Sequence, residues 1–224
     1  SEFGSVLART PAGRSVYAAT GYSCSVTCGR VSFALGLHGP CASYDTACSA
    51  SLVGSHSGMR ALQRLECRAA LSAGVNMLFD ASTMQGNAIA GFTSVKGRSH
   101  TFDVRADGYA RGEAINTIAC RLSSDGASAT QILGSAVRQD GRSASLTAPN
   151  GQAQQGVIGA SLVDAQLSTD QVAALEAHGT GTSLGDPIEA GALAAVFASS
   201  PGDVDTLVLG SLKANAGHTE PGAG

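Results

Sequence analysis

Short apolar runs alternate with glycine-rich turns along the whole chain, and the spacing inside each run separates strands from helices. Ala42-Ser43-Tyr44-Asp45 reads as a short buried strand. It leads without a long loop into Leu52, Val53, Met59 and Leu62, which recur at roughly helical spacing. Ala69 to Met77 reads as a second buried strand, and this strand–helix–strand order predicts a layered α/β body. After a polar middle the pattern resumes. Gln131 to Val137 is predicted as a strand, Gly156 to Leu167 as an amphipathic helix and Ala173 to Ala177 as another buried strand. Asp186-Pro187-Ile188-Glu189 predicts a helix start, with Asp as N-cap, Pro at the first helical position and Glu at the third in a capping-box arrangement. Leu193, Val196 and Phe197 would form its apolar face, and Leu207 to Leu209 reads as a parallel-type strand. The Ser/Gly/Asp composition near Ser123 to Ser128 predicts a boundary between two halves, residues 1–125 and 126–224.

Composition narrows the class. A chain of 224 residues with 43% hydrophobic and 14% charged side chains can bury a sizeable core, which argues against disorder. A net charge of −3 without a basic run argues against nucleic acid as a partner, and no apolar stretch is long enough to span a bilayer. The six cysteines follow no secretory signal, so free thiols in a reducing, cytoplasmic interior are expected, with an organellar location also open. Cys24 and Cys28 have no second Cys or His pair at zinc-site spacing, so no metal site is expected. The first residues carry no initiator Met and the last four stop where a new element would begin, which reads as a piece of a longer protein.

Three segments carry candidate chemistry. In Asp45-Thr46-Ala47-Cys48-Ser49-Ala50-Ser51, Cys48 falls near the first turn of a helix. Unpaired backbone N–H groups and the positive end of the helix dipole favour thiolate there, as a nucleophile requires. A buried structural cysteine is the competing reading, and local sequence leaves both open. In Glu176-Ala177-His178-Gly179-Thr180-Gly181-Thr182, His178 ends an apolar strand, where α/β proteins gather their ligands. The Gly-Thr-Gly-Thr run lacks the length and the Lys-Ser/Thr ending of a phosphate loop. In Gly210 to His218 a strand again runs into a loop, here holding Lys213 and His218. One Cys and two His, each at a strand terminus, point to a shared site.

Together these segments resemble the β-ketoacyl synthase family of polyketide and fatty acid synthases. The signatures are DTACSAS for the nucleophile, EAHGTGTSLGDPIEA for the first histidine and GSLKANAGHTE for the second. TFDVRADGYARGEA (Thr101 to Ala114) and GSAVRQDGRSASLTAPN (Gly134 to Asn150) are similar to the family as well, and the likeness runs from about Val16 to the last residue. Ala50, Cys41, Ala114 and Pro221 depart from its usual pattern, outside the catalytic set.

The resemblance implies a thiolase-like five-layered αβαβα fold, incomplete here at both ends. One missing part would be a Gly-rich loop that in relatives gives one backbone N–H to the oxyanion hole, the nucleophilic Cys giving the other. It further implies that Cys48 carries the acyl group, that His178 and His218 stabilise the enolate of a decarboxylating malonyl-type thioester, and that Lys213 fixes His218. Glu113 would join the same network, or form an ordinary ion pair. No cofactor would be bound by the domain itself; substrates would arrive on the phosphopantetheine of an acyl carrier protein. The intact domain would form a homodimer through Ala42 to Asp45. Arg60 and Arg64 are candidate carrier contacts, or an ordinary solvated face. A coenzyme A thiolase is the rival enzyme, although it would carry a second catalytic Cys where this chain has His. An inactive fragment or scaffold subunit is the non-enzymatic rival.

Overall fold

The computed structural model describes residues 2–123, 130–197 and 207–224, which fall into two compact units. The first is formed by the described residues up to Ala90, those from Gly112 to 123, and Thr219–Gly224. The second is formed by Gly91–Arg111 and the described residues from 130 to His218. The boundary expected near Ser123 to Ser128 lies almost wholly outside the described residues.

The first unit contains α1 (Glu2–Ala8), α2 (Ala18–Tyr22), α3 (Cys24–Leu35), α4 (Ala50–Gln63), β1 (Ala69–Asn76), α5 (Ala81–Ile89) and β2 (Ala114–Arg121). β1 and β2 pair antiparallel, Ala69 opposite Arg121 and Asn76 opposite Ala114. Helix α4 forms where the apolar spacing predicts it, burying Met59 and Leu62. It lies close against β1 because Gly54 and Gly58, one turn apart, present no side chain there. A Cβ at Gly54 would come within 3.2 Å of the Ser72 hydroxyl, and one at Gly58 within 3.3 Å of the Ala70 Cβ. Asn116 of β2 closes the sheet end. Its Oδ1 accepts from the Gly74 N–H at 3.0 Å and its Nδ2 donates to the Gly222 carbonyl at 2.7 Å.

The second unit contains α6 (Gly151–Ala165), β3 (Ala174–Glu176), α7 (Gly185–Phe197), β4 (Val208–Gly210) and the single turn α8 (Lys213–Ala216). β3 and β4 pair in parallel, Ala174 opposite Val208 and Glu176 opposite Gly210, while α6 packs on α7. Helix α6 starts earlier than its periodicity indicates, because Asn150 accepts from the N–H groups of Gln152 and Ala153 and so caps it.

Several expected strands change. Ala42 to Asp45 belong to no strand and are exposed, and Gln131 to Val137 likewise lie outside any strand. β1 forms as expected but alternates between exposed and partly buried positions rather than being buried on both faces. A strand needs a hydrogen-bonded neighbour as well as an apolar run, and a single segment does not specify that neighbour. Many large apolar side chains are exposed, among them Phe33 at 91%. Among the described residues no helix is long and apolar enough to cross a membrane.

The junction of β1, β2 and the last residues makes a testable claim. A Cβ on Gly74 would meet Asn116 Oδ1 at 2.8 Å and the Gly222 Cα at 2.9 Å, whereas one on Gly86 in α5 would meet nothing within 4 Å. Gly74→Ala should cost about 1–3 kcal/mol in urea unfolding. The same change at Gly86 should be neutral or stabilise by up to about 1 kcal/mol.

Candidate active site

β3 ends at Glu176, the buried Ala177 follows, and His178 opens the Gly-Thr-Gly-Thr loop. Two carboxylates from the first turns of α7 hold that loop. Glu189 accepts from the N–H groups of His178 at 2.6 Å and Gly179 at 2.8 Å. Asp186, only 4% exposed, accepts from Gly181 at 3.0 Å, Thr182 at 3.2 Å and Phe102 at 2.7 Å. The expected capping box is therefore not made. The helix begins at Gly185, Asp186 lies inside its first turn, and both carboxylates reach the amides of the preceding loop instead of those of their own helix. The loop's backbone requires glycine at Gly179 (φ +46°), where a Cβ would lie 2.6 Å from the Thr101 methyl. With four of its five amides engaged in this way, the run is no cradle for a phosphate.

His218 reaches the same neighbourhood from the loop after α8. It is fully buried, donates its backbone N–H to the Ala110 carbonyl at 2.7 Å, and packs edge-on against Tyr109 with centroids 4.9 Å apart. The rings of His178 and His218 lie 5.5 Å apart with planes at 86°. Loss of water, then the neighbouring His178 and the Lys213 ammonium, push the pKa of His218 down to about 3. His178 is lowered too, by desolvation first and by Lys213 second, while Glu189 and Asp186 pull the other way. Part of its surface stays open to solvent, but protein atoms crowd the rest of the ring. Both imidazoles are thus neutral at pH 7 and can donate hydrogen bonds without carrying charge.

Lys213 is 7% exposed and lines one side of a cleft of about 480 Å³. Lys96, Arg98 and Asn215 line it as well, and among the described residues no carboxylate does. The Glu176 carboxylate accepts from the Leu212 N–H at 2.7 Å, tying the end of β3 to the turn that carries Lys213.

In the first unit Cys48 sits in a 3₁₀ turn, Ala47–Ser49, that runs directly into α4. It is partly buried. The residue before it, Ala47, has φ +52°, a left-handed conformation that costs a non-glycine residue energy and clusters at functional turns. Ser49 ties the turn down, its hydroxyl 2.9 Å from both the carbonyl and the hydroxyl of Thr46. Glu113 accepts from the Leu78 N–H at 2.8 Å, a bond made within the first unit. All six cysteines are free. Cys28 is a second thiol to note, because hydrogen bonding from Ser43 lowers its pKa, with a smaller contribution from Cys41, and burial only partly opposes them.

The second unit therefore brings His178, His218 and Lys213 together, while Cys48 and Glu113 belong to the first. Sequence reading missed Asp186 and Glu189 as parts of the site. Their i, i+3 spacing just after a His-Gly-Thr-Gly-Thr loop is the available signal, and the same spacing also matches a self-capping pattern. It also missed Tyr109, for which no sequence signal stood out.

Comparison with known proteins places these features in a family. "Beta-ketoacyl synthase, N-terminal domain" matches residues 3–121, and "Beta-ketoacyl synthase, C-terminal domain" matches residues 129–224. A component of the pikromycin polyketide synthase of Streptomyces venezuelae is 45% identical over 213 residues, covering 93% of this chain and 6% of that protein. A phenolphthiocerol/phthiocerol polyketide synthase component of Mycobacterium tuberculosis is 42% identical over 229 residues, covering 100% of this chain and 15% of that protein. Among solved structures, an oxazolomycin ketosynthase domain of Streptomyces albus matches with a TM-score of 0.85 at 33% identity, covering 90% of this chain and 37% of that one. The ketosynthase from module 6 of the bacillaene synthase of Bacillus subtilis matches with a TM-score of 0.86 at 32% identity, covering 93% and 38%. The chain thus spans a small part of its curated relatives. The likeness to solved ketosynthases bears out the expected thiolase-like α/β fold.

Burial of a neutral His218 has a pH signature. Below the ordinary imidazole value of 6.5 the unfolded chain takes up a proton that the folded one refuses until about pH 3. The unfolded state then binds more protons, so stability falls as pH falls through that window. His218→Asn should remove up to about 1.4 kcal/mol per pH unit of that slope, read from urea unfolding across the interval.

Proposed function

The chain belongs to the β-ketoacyl synthase family, and we propose that it contributes the reacting groups of a ketosynthase that lengthens a polyketide chain by decarboxylative Claisen condensation. The observation that carries this reading is the pair of neutral histidines, 5.5 Å apart, with the buried Lys213 acting on both. A charged imidazole would pair with the substrate's carboxylate, whereas a neutral one donates to an oxygen as charge develops on it.

In this reading the thiolate of Cys48 attacks an acyl thioester presented on the phosphopantetheine arm of an acyl carrier protein. The new C–S bond forms as the carrier thiol leaves. A malonyl-type thioester then loses carbon dioxide, and the electrons of the broken C–C bond become an enolate. His178 and His218 hold its oxygen through their N–H donors. The enolate carbon attacks the acyl group on Cys48, and the tetrahedral intermediate collapses to a β-ketoacyl thioester while Cys48 leaves as thiolate. The cation-lined cleft beside Lys213 suits an anionic extender.

The chain spans 37–38% of the solved ketosynthases it matches, and its many exposed apolar side chains fit a body that further parts of such a domain cover. The exposed segment Ala42 to Asp45 is where a second copy would meet it, and the cytoplasm is the compartment of action. The domain would bind no cofactor of its own.

The test uses a complete ketosynthase domain carrying this sequence. Cys48→Ala should abolish acyl-enzyme formation by mass spectrometry yet leave malonyl decarboxylation. His178→Ala or His218→Ala should slow decarboxylation by about 100-fold or more while sparing part of the acylation. Condensation retained after Cys48→Ala would overturn the assignment. Acyl loading is the cleaner readout, since Cys28 has its own lowered pKa and would compete for an alkylating reagent.

A further inference from the structure

We propose that Cys28 and Cys41 form a redox-active dithiol, which a peroxide converts to a disulfide that fastens the segment leading to Cys48 onto helix α3. The inference is independent of the condensation chemistry and uses neither histidine.

Two short rows of side chains meet here, both within the first unit. Cys28 and Ser32 are one turn apart on α3 and therefore share a face. The left-handed Gly36 ends that helix, and the chain then returns with Cys41 and Ser43 two residues apart. The Ser32 hydroxyl donates to Cys41 Sγ at 3.4 Å, which seats Cys41 over the helix one turn along from Cys28. Cys28 in turn interacts with the side chains of both Ser43 and Cys41. Each thiol thus has the other, and a serine hydroxyl, as its neighbours.

Reactivity divides between the two sulfurs. Hydrogen bonding from Ser43 holds the Cys28 thiol below its ordinary pKa against partial burial, and Cys41 and nearby backbone amides add to that effect. A larger share of thiolate makes Cys28 the attacking sulfur. Cys41 is exposed, as are residues 33–47 throughout, so drawing it onto Cys28 disrupts no buried packing.

The step balances with hydrogen peroxide as oxidant. The Cys28 thiolate attacks one oxygen, an S–O bond forms, the O–O bond breaks and hydroxide leaves. The Cys41 sulfur then attacks the sulfenic sulfur of Cys28. The S–S bond forms as the S–O bond breaks, and the departing hydroxide takes the Cys41 proton and leaves as water. The hydroxide released first takes up the proton that Cys28 gave on ionising. Two thiols are oxidised to one disulfide, and one peroxide is reduced to water.

The experiment treats this chain, reduced and then freed of reductant, with about one equivalent of hydrogen peroxide. Remaining thiols are blocked with N-ethylmaleimide and peptides are mapped without reduction. Trypsin cuts at Arg30, between the two cysteines, and fragment ions separate Cys41 from Cys48 on the following peptide. The expected product is a Cys28–Cys41 cross-link, lighter by two hydrogens and reversed by dithiothreitol. Cys41→Ser should leave Cys28 as a sulfenic acid that dimedone traps, whereas Cys28→Ser should slow oxidation of Cys41 at least about tenfold. Cys24→Ser should leave the cross-link as abundant as before, although Cys24 lies one turn from Cys28 on the same helix. In urea the share of Cys28–Cys41 should fall several-fold, because pairs closer in sequence then compete on loop length alone. Pairing of Cys28 with Cys24, oxidation of Cys48 without the cross-link, or the same pairing pattern in urea as in the folded chain would overturn the proposal. Mapping of the unaltered chain decides it even if a variant does not fold.

Discussion

A carboxylate that is 4% exposed can remain charged only if the protein replaces the water it has lost, and Asp186 is surrounded for that purpose by the amides of Gly181, Thr182 and Phe102. That requirement organises the second unit. It draws the Gly-Thr-Gly-Thr loop onto the start of α7 and docks the segment around Phe102 against it. One turn on, Glu189 pins the loop's first two amides. Without the Asp186 carboxylate these three N–H groups lose their acceptor, and the loop loses the anchor of its far end. The same short stretch of helix therefore holds both ends of the loop that His178 opens.

The electrostatics around the histidines show which influence dominates. Two carboxylates near His178 favour its protonation, and Lys213 with the loss of water oppose it. The net direction is downward, so desolvation and the buried ammonium outweigh the carboxylates. At His218 no carboxylate opposes them, and the shift is larger. A lysine buried to 7% exposure beside two histidines would be costly for stability alone. Its effect of keeping two imidazoles neutral gives the arrangement chemical sense.

The first unit solves a different problem, which is to present a thiol at the end of a helix without loosening the helix. The 3₁₀ turn and the left-handed Ala47 swing Cys48 to the head of α4, and Ser49 secures the turn to Thr46. Helix α4 is in turn fixed by its close approach to β1 at Gly54 and Gly58. Glu113, placed by resemblance in a polar network, is seen here at the Leu78 amide.

Much of this was legible in the chain itself. The helices α4 and α6 follow from local apolar periodicity, α7 from its Asp-Pro start although that Asp does not cap it, and β1, β3 and β4 follow from apolar runs that do find partners. Cys48, His178 and His218 stand out because each sits at the end of an element in a recognisable motif. Other features depend on partners far away in sequence. Ala42 to Asp45 and Gln131 to Val137 have the composition of strands but no ladder to join. Asp186 and Glu189 have the spacing of a capping box, yet their hydrogen bonds go to residues as distant as Phe102. A side chain's type and local spacing are written in the sequence, whereas the identity of the group that satisfies a buried charge or a strand edge is fixed only when the folded chain excludes water and leaves one donor within reach.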